Sequence, residues 1–146
     1  DYKYQSLKRL CEYSPKERIK NEGRHAYRFF TKQHKDLTDL YNLFYKNGRK
    51  KIPKSLKLDS LMVAIWYMDD GSKSRDADIY LNTQQFSVSD QKKLLQYLRE
   101  LGVSARLNKD KKYYRIRILK ESITAFMHKI RPHIISSMQY KLVMTP

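Results

Sequence analysis

Asp69 and Asp70 stand side by side at the end of an apolar run and directly before Gly71, in the stretch AIWYMDDGS (residues 64 to 72). Carboxylates are hard oxygen donors, and one or two of them, completed by substrate phosphates and water, commonly hold Mg²⁺. A dication bound beside a scissile phosphate activates water and stabilises charge on the group in transfer. The bland alternative is a pair of aspartates that solvate a helix end. Two points weigh against it. Neighbours on a helix point about 100° apart, so the two carboxylates cannot share one environment, and the negative end of a helix dipole is unfavourable for either. On residue type alone Asp-Asp-Gly is a weak motif, and both readings stay open.

The element that positions this pair is a helix starting at Asp59 or Ser60, either of which is a good N-cap, and running from Leu61 through the only tryptophan, Trp66, to Asp69. It is apolar nearly all round, which requires burial, and small Ala64 allows another helix to approach closely. Four further helices are amphipathic, with apolar residues at Tyr4, Leu7, Leu10 and Cys11; at Leu37, Leu40, Tyr41, Phe44 and Tyr45; at Leu94, Leu95, Leu98 and Leu101; and at Ile123, Phe126, Met127 and Ile130. Between them the period switches to two, in Ala26 to Lys32, Ile79 to Gln84, Val103 to Asn108 and Tyr113 to Leu119, with a weaker strand near Glu17 to Asn21.

The polar faces of these strands carry Arg28 and Lys32; Tyr80, Asn82 and Gln84; Arg106 and Asn108; Arg115 and Arg117, with almost no acid. Arginine and amide side chains can pair with base edges in a major groove, and lysines hold phosphates. The turn NKDKKYY adds Lys111 and Lys112 as phosphate contacts, or as ordinary solvated turn residues.

Composition points the same way. Thirty-one Lys and Arg against fifteen Asp and Glu give a net charge of +16, which favours a polyanionic partner, nucleic acid first. The basic residues run along the whole chain instead of one amphipathic segment, which argues against a membrane surface. The longest apolar run, Leu61 to Met68, falls far short of the roughly 20 residues that span a bilayer, and no signal peptide is visible. The single Cys11 excludes an internal disulfide and a multi-cysteine zinc site, and the four histidines have no ligand spacing.

The element order repeats. Helix, strand, strand, helix describes residues 3 to 46 and again 88 to 130, and each copy closes on a lysine beside an apolar residue: Lys50 in KKIP and Lys141 in YKL. The first copy lacks a counterpart of residues 58 to 86. This divides the chain into a partial first unit, residues 1 to 53, and a complete one, residues 54 to 146.

LMVAIWYMDDGSK, then IYLNTQQFS, LRELGVSARLNKDKKYYRIRI and SSMQYKL, together resemble the LAGLIDADG homing endonuclease family in its branch with two motifs on one chain, from about residue 4 onward. The resemblance implies an α+β fold of αββαββα halves, each with a saddle-shaped antiparallel sheet reading double-stranded DNA. It implies that Val63 to Gly71 is the motif. Asp70, with Gly71 beside it, would hold Mg²⁺ or another divalent cation. Lys50 and Lys141 would fall on the lysines that support catalysis, and Val63, Ala64, Ile65, Tyr67 and Met68 would meet a second motif helix.

Only one such motif is present in this sequence, whereas the family cuts two strands with two. The first motif is then lost or trimmed, or a second chain supplies it, or cleavage is gone; the partial first copy favours loss or trimming, as does a start at Asp1 in place of methionine. Two functions follow: a site-specific DNA endonuclease, or a LAGLIDADG-derived RNA binder such as an intron maturase. Lysine and tyrosine richness suits an AT-rich genome, an organelle or a bacterial or phage setting, and a protein that is not secreted.

Overall fold

The computed structural model describes residues 2–19, 25–74 and 78–142. The chain forms two compact units, Asp1–Leu43 and Phe44–Pro146. In the first, α1 (Tyr2–Leu7) runs into a 3₁₀ turn (Lys8–Leu10), strands β1 (Lys16–Ile19) and β2 (His25–Arg28) pair antiparallel, and α2 (Lys35–Phe44) closes the unit, its last residue entering the second. A bridge between Cys11 and Thr31 and an edge-on contact of Tyr4 with Phe29, ring centres 5.6 Å apart, hold it together. None of its described residues is buried. The strand expected over Ala26 to Lys32 stops at Arg28, because the chain turns away to reach the Cys11 bridge; of the strand expected over Glu17 to Asn21, Lys20 and Asn21 lie outside the described residues.

The second unit opens on a hairpin, β3 (Tyr45–Lys46) and β4 (Arg49–Lys50), where helical periodicity ran on through Tyr45. Asn47 and Gly48, at φ 50° and 71°, both take the left-handed conformation that a two-residue hairpin turn requires. That Asn-Gly pair is the signal the periodicity reading passes over. The segment after the hairpin is tied to the same unit: Lys93 donates to the Ile52 carbonyl (3.1 Å) and the Tyr97 hydroxyl to those of Pro53 and Lys54 (2.8 and 2.7 Å). The compact units therefore divide earlier than the boundary at residue 53.

From α3 (Ser60–Asp70) the order is αββαββα: β5 (Gly71–Lys73), β6 (Ile79–Leu81), α4 (Val88–Glu100), β7 (Ala105–Asp110), β8 (Tyr113–Ile118) and α5 (Lys120–Ile130), followed by 3₁₀ turns at Arg131–His133 and Ser136–Lys141. Asp59 caps α3 by accepting from the Met62 amide at 2.8 Å, and Ser87 caps α4 through the Asp90 amide at 3.1 Å. The strands form one antiparallel sheet in the order β5-β6-β8-β7. One sheet face, with Ile79, Leu81, Ile116 and Ile118, joins Val63, Tyr67, Leu98, Phe126 and Ile130 in the core, each side chain fully buried. Tyr67 meets Phe126 edge to face, centroids 5.5 Å apart at 85°. Burial of each such side chain contributes about 1.5–3 kcal/mol.

This packing corrects the expected helix interface. Val63, Ala64, Tyr67 and Met68 are buried in the unit's own core, and Ile65 alone of that set is partly open. Helical geometry turns a different stripe outward: Leu61 and Met62, 40% and 45% exposed, with partly exposed Ile65 and Trp66 and exposed Asp69.

Candidate active site and nucleic-acid face

The motif helix ends where Gly71 leaves it for β5. The Gly71 amide donates to the Tyr67 carbonyl, and its φ of −78° is open to any residue, yet glycine is required: a Cβ here would land in the Tyr67 ring. The Asp70 carbonyl accepts from the Asn82 amide (3.0 Å), tying the helix end to the exit of β6. Both Asp69 and Asp70 are exposed.

Lys141, brought from the far end of the unit, closes this corner. Its Nζ donates to the carbonyls of Tyr67 (3.1 Å), Met68 (2.6 Å) and Gly71 (3.0 Å), and the Tyr67 hydroxyl donates back to the Lys141 carbonyl at 3.0 Å. Burial pushes the Lys141 ammonium below the ordinary lysine range, while the Asp69 and Asp70 carboxylates pull it up. Burial, helped by Tyr140, raises Tyr67 to about 12, so its hydroxyl stays a neutral donor. The dipole argument against two aspartates at a helix C-terminus thus meets a local answer: a cation sits on the carbonyls that make that end negative.

As a hard-cation site the corner offers the right donor type in the exposed Asp70 carboxylate, with substrate phosphate and water needed to complete the shell. Gly71 fits less well, since a dication on its carbonyl would share that oxygen with the Lys141 ammonium. Among the described residues no group of three or more His, Cys, Asp or Glu side chains gathers to hold a metal alone. Lys50 is exposed on β4 and donates to Gln85 Oε1 at 3.0 Å. It lines a groove with Arg49, Gln84, Lys112 and Tyr113.

The strand register places Tyr80, Arg117 and Arg106 in one cross-strand row and Arg115 opposite Asn108 on the same face. This is the polar face expected, with two corrections. Asn82 and Gln84 lie beyond β6, which ends at Leu81 because the buried Thr83 turns inward to donate to Gln91 at 2.9 Å. The face also carries acid: Asp78 accepts from Arg117 (2.6 Å) and from the Tyr80 hydroxyl (3.3 Å), and Asp110 from Gln84 (2.8 Å). The Arg115 guanidinium lies 3.8 Å from the centre of the Tyr80 ring, which buries the tyrosine as a stacking floor. Lys111 and Lys112 are exposed in the β7–β8 turn, Lys111 at φ 54°. Arg28 and Lys32 are exposed in the first unit, Arg28 paired in register with Lys16 and Lys32 past the end of β2. Sequence reasoning missed Asp78, whose partner is 39 positions away; an acid directly before a strand of this polarity is the one available hint.

Comparison with known proteins converges. The chain is 31% identical over 132 residues to the cytochrome b mRNA maturase bI2 of Debaryomyces hansenii, covering 86% of this chain and 50% of that protein. It is 28% identical over 126 residues to a protein of Mycosarcoma maydis named "Probable intron-encoded DNA endonuclease 3", covering 80% of this chain and 93% of that one. The chain thus spans half the length of the maturase relative. In fold it matches the homing endonuclease I-WcaI, solved bound to its DNA recognition sequence, with a TM-score of 0.87 and 24% identity over 99% of this chain and 70% of that one. The family model of the LAGLIDADG DNA endonucleases matches residues 1–126, and the chain belongs to that family.

Proposed function

We propose that the chain works as a site-specific DNA endonuclease, holding a long double-stranded site on its basic sheet and hydrolysing phosphodiesters with Mg²⁺ or another divalent cation. The observation that carries this is the exposed Asp70 carboxylate at the end of the motif helix, in a unit whose sheet aligns Tyr80, Arg106, Arg115 and Arg117 on one face. Asp70 is the metal ligand in this reading. The cation, when bound, supplies an activated water and charge stabilisation at the phosphate. Arg106 and Arg115 meet base edges, Lys111 and Lys112 meet phosphates, and Lys50 stabilises charge from β4. Residues 54 to 146 act as a complete half and residues 1 to 53 as an incomplete one. Cutting both strands requires a second motif helix, for which the open stripe Leu61, Met62, Ile65 and Trp66 is the docking face.

The test is cleavage of a pooled library of long duplexes by the protein assembled with a second motif half. Asp70→Asn is expected to abolish cutting while duplex affinity stays within about threefold; wild type that cuts nothing in the pool would sink the reading. Identity to a protein named as an mRNA maturase favours a second one, an intron-RNA binder. In that case RNA affinity survives Asp70→Asn and needs no divalent cation at that residue.

A further inference from the structure

We propose that Lys141 serves as a positioning residue that fixes the end of the motif helix, and so the direction of the Asp70 carboxylate, by capping the helix's last carbonyls. The inference rests on the endonuclease reading for its consequence in cleavage, and on geometry alone for the cap. An ammonium has three N–H donors, and here they meet the carbonyls of Tyr67, Met68 and Gly71, at 2.6 to 3.1 Å. Those carbonyls flank Asp69 and Asp70 on both sides, so the lysine bridges the helix to the first residue of β5. The tether is doubled, because the Tyr67 hydroxyl donates to the backbone of Lys141 itself. With its donors engaged by the backbone at the end of the motif helix, the lysine acts on the chemistry through Asp70. The carbonyl of Asp70 is itself held by the Asn82 amide, so the corner is pinned from two sides.

Native-state hydrogen exchange reads the cap without any substrate. Lys141→Met keeps the length of the stem and removes the charge and donors. It is expected to speed exchange of the Gly71 and Asn82 amides by about tenfold or more, while amides of β7 and β8 stay within about twofold. Tyr67→Phe removes only the return bond and is expected to give a smaller effect at the same amides. It also covers the case in which Lys141→Met does not fold. Unchanged exchange at Gly71 and Asn82 in every variant that folds overturns the proposal.

Cleavage then separates positioning from direct catalysis. A positioning lysine predicts that Lys141→Met lowers the single-turnover rate on saturating DNA, leaves duplex affinity unchanged and preserves the shape of the pH–rate profile. It also predicts that Tyr67→Phe lowers the rate in the same sense. Loss of one limb of the pH profile in Lys141→Met, with Tyr67→Phe at full rate, would assign the lysine a direct role and overturn the proposal. Should wild type cut no DNA, the endonuclease reading fails, and the exchange result still decides whether the cap exists.

Discussion

Residues 2 to 44 and 88 to 130 follow the same order, helix, strand, strand, helix, yet among the described residues only the second stretch has buried ones. In the second, β7 and β8 are six residues each and belong to a four-stranded sheet, and Leu94, Leu98, Ile116, Ile118 and Phe126 are buried. In the first, β1 and β2 are four residues each and form a ribbon by themselves, with Tyr27 66% and Phe30 78% exposed. The pattern alone does not make the difference; what does is the segment α3-β5-β6, which supplies Val63, Tyr67, Ile79 and Leu81 as packing partners on the side of the sheet that the first unit leaves bare. A two-stranded ribbon is marginal in water until a third layer covers it.

The sharpest way to break this comparison is to truncate one aromatic in each unit. Phe126→Ala is expected to destabilise the second unit by about 3–5 kcal/mol. Phe30→Ala, at an exposed position, is expected to stay within about 0.5 kcal/mol. Chemical denaturation followed by the single Trp66, which sits in the second unit, measures the first value, and equal effects would show that the units share one core. The next test concerns the corner. Gly71→Ala drives a methyl into the Tyr67 ring and backbone carbonyl and is expected to cost about 3 kcal/mol or more through overpacking, whereas Gly48→Ala, with open space around it, pays only the strain of its positive φ, about 1 kcal/mol.

The smallest effect is on acid sensitivity. Burial works to raise the Asp90 carboxyl, but hydrogen bonds from Lys93, Ser87 and the Ile52 backbone outweigh it and leave it below the usual aspartate range. A carboxyl depressed in the folded state adds stability above its unfolded value, near pH 4, and that stability is lost as pH falls through the folded value. Asp90→Asn should therefore flatten the acid limb of a stability–pH curve for the second unit and leave its neutral-to-alkaline slope alone.

Much of this was legible in the residues. Alternation in YYRIRI puts Ile116 and Ile118 inward and Arg115 and Arg117 outward, as the strand register has them, and of the two candidate caps, Asp59 and Ser60, Asp59 is the one that caps the helix. The illegible parts share a cause: they are held by backbone or by partners distant in sequence. Strand β5 is Gly-Ser-Lys, three residues with no apolar pattern, and exists through its pairing with β6. The motif helix is apolar all round, so composition does not say which stripe faces the core, and of the five residues expected to pair all but Ile65 are buried in it. Lys141 was found as a lysine that closes a repeat, but its acceptors lie 70 or more positions away.

The Asp78–Arg117 pair also bears on how such a surface changes over generations. Both side chains are mostly enclosed, 13% and 20% exposed, so replacing the arginine alone would leave a largely buried carboxylate without its charge partner and with only the Tyr80 hydroxyl as a side-chain donor, a loss of the size that purges variants. Tyr80, whose hydroxyl donates to that aspartate and whose ring underlies Arg115, extends the linkage to a third and fourth position. Replacement at these positions then proceeds jointly across the cluster, while exposed Arg106 is free to vary singly.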